Sequence, residues 1–322
     1  MTQIEFKKFI IEKLSEDNVK DVQYLFLVAF QTNVSEEFIR NKHINCGGPH
    51  NYIGYLAYDS VSREPAAYYA VYPGYMLYDN KQILVAQSGD TMTNPKFQKQ
   101  GLFVELAKIT FEYCEKIGIE MITGLPNSNS YHGFIKHLGF EEFPKFVNLC
   151  FLQNKFEFHR FTKRSKIALK LHQSYAKFIF NIFFRKCNHF ENSNRQESNL
   201  AFMEHDKDYY MLKNSRNNLF IRIKKVNIWL RIEGNNIAIS DIDLDNKQAF
   251  KLASILAILR LLTFITGFRF LNFNAAPNGY LYSKIKDFST SKTDGYTFII
   301  KNLGSKIPLQ KVSLLSCDAD VF

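Results

Sequence analysis

The residues best placed to do chemistry form one run: Gly89-Asp90-Thr91-Met92-Thr93-Asn94-Pro95-Lys96-Phe97-Gln98-Lys99-Gln100-Gly101-Leu102-Phe103. A strand ends, Pro95 breaks it, a short polar loop follows, and Gly101 opens an apolar-periodic helix. N–H groups in the first turn of a helix have no partners inside it, and the helix dipole favours negative charge there. Glycine at 101 lets a ligand approach the backbone without a Cβ in the way. Lys96 and Lys99 add positive charge. A pyrophosphate fits such a cradle. The run is not a P-loop, because GxxxxGK[ST] is absent, and it is not GxGxxG. Taken alone it reads first as an ordinary strand-to-helix turn.

The elements that must position this run can be read from period and punctuation. Residues 4–14 alternate loosely as a first strand, and Ser15-Glu16-Asp17 offers capping chemistry for a helix through Asp21 to Phe30. Ser35-Glu36-Glu37 starts a second, short helix to about Lys42. Three strands follow, Tyr52 to Tyr58, Ala66 to Tyr78 (interrupted at Pro73-Gly74) and Ile83 to Thr93, with turns that suit an antiparallel meander. From Leu102 the apolar period becomes helical until Gly118. Ile119 to Thr123 is a short strand, a helix runs from about Ser128 to Leu138 and ends at Gly139, and Phe146 to Leu152 is again a strand. Residues 83–123 therefore make a βαβ-like step inside an otherwise antiparallel sheet.

Composition bounds the rest. At 322 residues the chain is long for one core. The formal charge of +10 attracts phosphates of any kind without choosing among them. Five scattered cysteines with no CxxC pair argue against a disulfide framework and a zinc site, and no metal cluster is evident. Cys114 lies on a buried stripe and is most simply core. The first residues lack a signal peptide's apolar core, and the longest apolar run, 249–268, carries Lys251 and Arg260. A cytoplasmic location is expected.

Residues 155–187 interleave Lys and Arg with Leu, Ile and Phe, which suits a basic amphipathic helix. A helix connecting two domains is the preferred reading, with a membrane-surface anchor or a nucleic-acid contact as alternatives. Glu191 to Asn199 reads as a linker. Beyond it come strands at Leu219 to Ile223, Ile228 to Glu233 and Ile237 to Asp243, a buried helix at Phe250 to Thr266 and a strand at Phe268 to Asn274. Helix, Gly118, strand, Pro126-Asn127 and Tyr131 in the first half match helix, Gly267, strand, Pro277-Asn278 and Tyr280 in the second. The two glycines lie 149 residues apart, a spacing expected of a degenerate internal duplication. The domains are expected at 1–154 and 200–322, joined by 155–199.

The order strand, loop, helix, strand, Pro-Asn and a short helix ending in Leu138-Gly139-Phe140 resembles the GNAT superfamily of N-acyltransferases. Gln98-Lys99-Gln100-Gly101-Leu102-Phe103 resembles its Q/R-x-x-G-x-G/A pyrophosphate loop, and Lys136-His137-Leu138-Gly139-Phe140 its closing segment. Gly89 to Phe103 and Gly124-Leu125-Pro126-Asn127 look like the larger, tandem members. The resemblance implies a mixed α/β fold with a mostly antiparallel sheet flanked by helices, duplicated as two halves. Two positions depart from the pattern. Phe103 stands where the family has Gly or Ala, and Ile135 stands where many members place a tyrosine that protonates the departing thiolate.

Acyl transfer from a thioester to an amine needs a base for the amine, donors for the oxyanion and an acid for the thiolate. By the resemblance, acetyl-CoA or another acyl-CoA is the co-substrate. Thr91, Met92 and Thr93 would then hold the acyl carbonyl, and Gln98, Lys99, Gln100, Gly101, Leu102 and Phe103 the pyrophosphate. Asp90 is the candidate base and Tyr131 the candidate acid, while Asn127 orders the loop or bonds the coenzyme. His132 and His137 share a helix and could titrate near neutrality. In the second half Asp245-Asn246-Lys247-Gln248-Ala249 stands where the loop would be, which implies loss of coenzyme binding. The expected acceptor is a small-molecule primary amine, with an amino sugar, free or nucleotide-linked, to be tried first. A tRNA-dependent aminoacyl transferase and a non-catalytic binding protein are the alternatives. Nucleic acid is not an expected partner, whereas peripheral membrane contact through 155–187 is allowed.

Overall fold

The computed structural model describes residues 4–6, 8–44, 48–154, 165–187, 199–205, 209, 217–244 and 250–318. Cys46, residues 155–164 of the basic segment, nearly all of the 191–199 stretch and residues 245–249 lie outside the described residues. The chain forms two compact units, neither contiguous in sequence. The first comprises Met1–Met76, Lys81–Phe143 and Thr297–Lys306, and the second Leu77–Asn80, Pro144–Tyr296 and Ile307–Phe322.

In the first unit the chain order is β1 (Ile4–Phe6), β2 (Phe9–Lys13), α1 (Val19–Phe30), α2 (Glu36–Ile44), β3 (Ile53–Asp59), β4 (Pro65–Tyr78, whose last two residues are assigned to the second unit), β5 (Lys81–Thr93), α3 (Leu102–Lys116), β6 (Met121–Gly124), α4 (Ser128–His137) and β7 (Glu141–Glu142). Its strands lie in the order β1-β2-β3-β4-β5-β6-β16-β7, where β16 (Ile299–Asn302) arrives from far along the chain. The pairs from β1 to β4 are antiparallel, and β5 and β6 are parallel. Asp79 and Asn80 close the β4–β5 turn with φ of 50° and 59°, the left-handed pair that a two-residue hairpin demands.

β4 runs unbroken through Pro73-Gly74, where an interruption was expected. Its pairing to β3 ends at Val71, so Pro73 has no ladder bond to lose on that side. Alternate residues of β4 serve two cores. Tyr69 and Val71 join α3, through Leu102, Leu106, Phe111 and Cys114. Tyr68 and Ala70 join α1, through Val19, Val22, Leu25 and Phe26. Gly118 ends α3 at φ 82°, and the Ile119 N–H donates to the Cys114 carbonyl at 2.9 Å.

The second unit contains β8 (Val147–Gln153), α5 (Lys166–Phe183), β9 (Arg185–Lys186), β10 (Ala201–Met203), β11 (Asn218–Ile223), β12 (Val226–Glu233), β13 (Asn236–Asp243), α6 (Leu252–Ile265), β14 (Phe270–Ala275), α7 (Tyr280–Ile285), β15 (Ser291–Asp294) and β17 (Val312–Ser313). Its sheet has the order β15-β8-β14-β13-β12-β11-β9. The basic segment yields α5, which packs Ala176 and Phe180 into this unit's own core. No helix among the described residues is long and apolar enough to cross a membrane.

The two units repeat one topology. A meander (β3-β4-β5 or β11-β12-β13), a helix (α3 or α6), a parallel strand (β6 or β14) and a short helix (α4 or α7) follow one another in each. Gly267, at φ 74°, ends α6 as Gly118 ends α3, with Phe268 N–H donating to Thr263 at 3.1 Å. The parallel pairings match in extent: Val85–Ser88 with Met121–Gly124, and Asn236–Ile239 with Phe270–Phe273. Strands are also exchanged between the halves of the sequence: β16, from the second half, lies in the first sheet, and β8, from the first half, lies in the second.

Candidate active site

The βαβ step sets the geometry. β5 and β6 run side by side only as far as Ser88 and Gly124, where β6 ends and β5 continues to Thr93. The edge of β5 from Gly89 onward therefore lies open on its β6 side. Small residues stand at the parting point, since a Cβ on Gly124 would lie 3.7 Å from Ser88 Cβ and 3.3 Å from Ile299. Beneath them the Tyr69 hydroxyl lies 2.8 Å from Ser88 Oγ.

The segment between β5 and α3 is tightly specified. Asn94 is buried and accepts from the Lys96 N–H at 3.1 Å, capping the turn Pro95–Phe97. Lys99 and Gly101 both have positive φ, 62° and 79°, and Gly101 is the N-cap of α3 without a side-chain cap. The Val104 and Glu105 N–H groups donate to the Gly101 carbonyl at 3.0 and 3.2 Å. Among the described residues, no backbone acceptor serves the Leu102 or Phe103 N–H. These two donors are the orphan amides of the helix start, and Gln98, Lys99 and Gln100 stand exposed beside them. Lys96 does not add its charge to this cradle. Its ammonium pairs with Glu64 at 2.8 Å, and Glu64 also accepts from the Tyr24 hydroxyl at 2.6 Å.

Phe103 leaves the cradle open. Its ring packs 5.0 Å from the Phe134 ring, edge to face, and fills the space beside Gly133, where a Cβ would come within 2.5 Å of it. The bulk that replaces a small residue at 103 is thus accommodated by a missing side chain at 133. Gly133→Ala is expected to destabilise by about 1–2 kcal/mol, because overpacking against a ring outweighs the better helix propensity of alanine. Thermal denaturation checks this, and the double variant Phe103→Ala/Gly133→Ala should recover part of the loss relative to Phe103→Ala alone.

The remaining expected residues divide. Met92 is buried in the α1 core, while Thr91 and Thr93 are half-buried. Asn127 is the N-cap of α4, accepting from the Asn129 and Ser130 N–H groups at 2.9 and 3.0 Å. Tyr131 is half-buried on α4 against the α3 core, as is Ile135. His132 and His137 are exposed, with ring centroids 6.1 Å apart. Cys114 is fully buried, and burial pushes its thiol up to about 12.

Asp90 has partners that the sequence did not suggest. At φ 50° it turns its carboxylate toward α2, where Oδ2 accepts from the Lys42 ammonium and from the Tyr72 hydroxyl, the latter at 2.7 Å. Lys42 is 4% exposed and its ammonium lies 4.5 Å from the Tyr72 ring centroid. His43 follows, buried, with Nε2 2.7 Å from the Tyr68 hydroxyl and its ring stacked 5.5 Å from Tyr52. Burial, and then the neighbouring Lys42 charge, hold His43 down to about 3. The Lys42–Asp90 pair is neutral as a unit, and Oδ1 is the carboxylate's remaining acceptor.

The same position in the second unit is also an aspartate. Asp90 and Asp241 each stand two residues past the last parallel pair, at Ser88 and Ile239. Asp241 is fully buried and Oδ2 lies 2.9 Å from His205 Nδ1, while His205 Nε2 lies 2.7 Å from Asp318 Oδ1. An imidazole can serve carboxylates at both nitrogens only as imidazolium. Tyr209 stacks on the ring at 4.7 Å and donates to the Cys317 carbonyl at 2.8 Å. Donor atoms of His205, Cys317 and Asp318 lie within 4.8 Å of one another, a grouping that no sequence spacing announced.

No protein-family model matches the chain, and no curated protein is similar to it in sequence. Solved structures do resemble it. A GCN5-related N-acetyltransferase from Kribbella flavida superposes with a TM-score of 0.58 at 10% identity, over 92% of this chain and 72% of its own. One from Anabaena variabilis ATCC 29413 gives 0.58 at 12%, over 92% and 73%. The N-myristoyltransferase of Saccharomyces cerevisiae, with bound myristoyl-CoA, gives 0.53 at 9%, over 93% and 84%. The chain has the GNAT fold in a duplicated arrangement.

Proposed function

We propose that this chain is an acyl-CoA-dependent N-acyltransferase whose donor lies in the first unit, acting on a primary amine of a small molecule. The observation that carries the reading is the parting of β5 from β6 beside a helix start whose first amides meet no backbone acceptor among the described residues. The open β5 edge at Thr91 to Thr93 would receive the acyl carbonyl, and the Lys99 to Phe103 amides the pyrophosphate. The amine nitrogen attacks the thioester carbon, the C–N bond forms, and the C–S bond breaks as the intermediate collapses. The proton lost by the amine goes to Asp90 Oδ1, directly or through water, with Lys42 and Tyr72 fixing the carboxylate. The thiolate takes a proton from Tyr131.

An amino sugar, free or nucleotide-linked, is the acceptor class to test first, in line with surface polysaccharide assembly. The formal charge of +10 supports an acceptor that carries phosphate.

Isothermal titration of the whole chain with acetyl-CoA and longer acyl-CoAs tests the reading. Binding is expected, and Gly101→Val should weaken it about tenfold or more while costing about 1–2 kcal/mol of stability through its left-handed φ. No heat with any acyl-CoA at millimolar concentration would remove the proposal.

A further inference from the structure

The second unit presents an exposed apolar stripe on α5. α5 buries one face, with Ala176 and Phe180 in the core and His172 Nε2 held 2.6 Å from the Thr266 carbonyl. Gln173 adds a bond to the Gly234 carbonyl at 3.1 Å. The helix is therefore fixed in place before any ligand arrives. Its opposite side carries Ile167, Leu171, Tyr175, Phe178 and Ile182 at helical spacing, between 49% and 72% exposed. Leu261, Phe264 and Ile265 of α6, from the turn that ends at the same Thr266, are more than half exposed too. A water-soluble surface rarely shows so many large apolar side chains together without a binding role.

Charge decides between the candidates for covering it. Residues 165–187 contain Lys166, Lys170, Lys177, Arg185 and Lys186 and no acidic residue at all. Lys170 and Lys177 fall on one flank of the stripe when α5 is wound at 3.6 residues per turn. Arg185 and Lys186 form the exposed edge strand β9, just past the end of the helix. Between Ile182, Phe183 and these two cations lies a shallow hollow of about 590 Å³, lined also by Asn181 and Phe184. Apolar side chains in line, with cations beside them able to reach outward, match the acyl–headgroup boundary of a lipid layer. The cations select anionic headgroups.

We infer that α5, together with the exposed end of α6, docks the second unit onto an anionic lipid surface, lying in its plane with Phe178 and Ile182 inserted. This goes beyond the acyl-transfer reading and does not rest on it. Lys170, with Arg185 and Lys186 of β9, holds the headgroups, and the hollow beside Phe183 takes one phosphate.

Co-sedimentation of the full chain with vesicles tests it. Wild-type protein is expected to bind phosphatidylcholine vesicles containing phosphatidylglycerol, to bind pure phosphatidylcholine much more weakly, and to be released as salt is raised. Phe178→Asp/Ile182→Asp, both at exposed positions, should weaken binding about tenfold or more with an unchanged thermal midpoint. Lys170→Glu/Lys186→Glu should abolish the preference for the anionic lipid. The inference is overturned if the wild type ignores lipid charge or if the Asp variant binds as well as the wild type. It also falls if sedimentation velocity shows a self-associated wild type that the same two substitutions dissociate, because the stripe is then an interface between copies.

Discussion

His205→Leu should cost about 3–5 kcal/mol of stability and lower the thermal midpoint by about 10 °C, the larger of the two strongest effects expected here. The imidazole is 0% exposed and lies between Asp241 and Asp318, themselves 0% and 4% exposed. Leucine removes the imidazole that bridges two buried carboxyl groups. Asp318 also accepts from the Leu315 N–H at 2.7 Å, so the loss spreads into the Leu315–Asp318 turn. Asp241→Asn keeps an acceptor toward the ring and should cost much less, near the 1 kcal/mol of an ordinary hydrogen bond. Differential scanning calorimetry of both variants decides the matter. A drop below about 1 kcal/mol for His205→Leu would mean that the two acids are not held by its charge.

Acid should weaken the first unit through His43. The ring is buried, and desolvation first, then Lys42, hold its pKa down to about 3 from the ordinary 6.5, with Asp90 opposing. The unfolded chain therefore binds a proton that the folded chain refuses. Stability from this group is fully present above pH 6.5 and is lost as pH falls toward 3, at up to about 1.4 kcal/mol per pH unit. Urea midpoints measured from pH 8 to pH 4 should fall more steeply in the wild type than in His43→Gln, which retains a hydrogen-bond partner for Tyr68. Parallel profiles for the two proteins would count against a histidine kept neutral by burial.

The βαβ step was legible because its signals are local. The period change at Leu102, the stop at Gly118 and the short strand after it each occupy a few adjacent residues, and the repeat at Gly267 follows the same rules. The duplicated GNAT fold could be inferred from them. What lay beyond reach is non-local. Asp90 meets Lys42 across 48 residues, and His205 reaches Asp241 across 36 and Asp318 across 113, with no motif joining them. The resemblance flagged Phe103 as an oddity, yet only the contact with Gly133 shows how the helix accepts it. Lys96 read as added positive charge beside the loop because its type and place fit, while its partner Glu64 sits 32 residues away on the far side of a hairpin.

The exchange of strands sets a schedule for synthesis. A ribosome delivers the N-terminus first, yet β6 gains its neighbour only when Ile299–Asn302 emerges. Until then the nascent first half exposes a bare row of amides and carbonyls along β6, the kind of edge that recruits other chains. Genetic dissection at the midpoint of the gene would thus yield two unfinished sheets rather than two working modules, and co-expression of the fragments would be the way to reunite them.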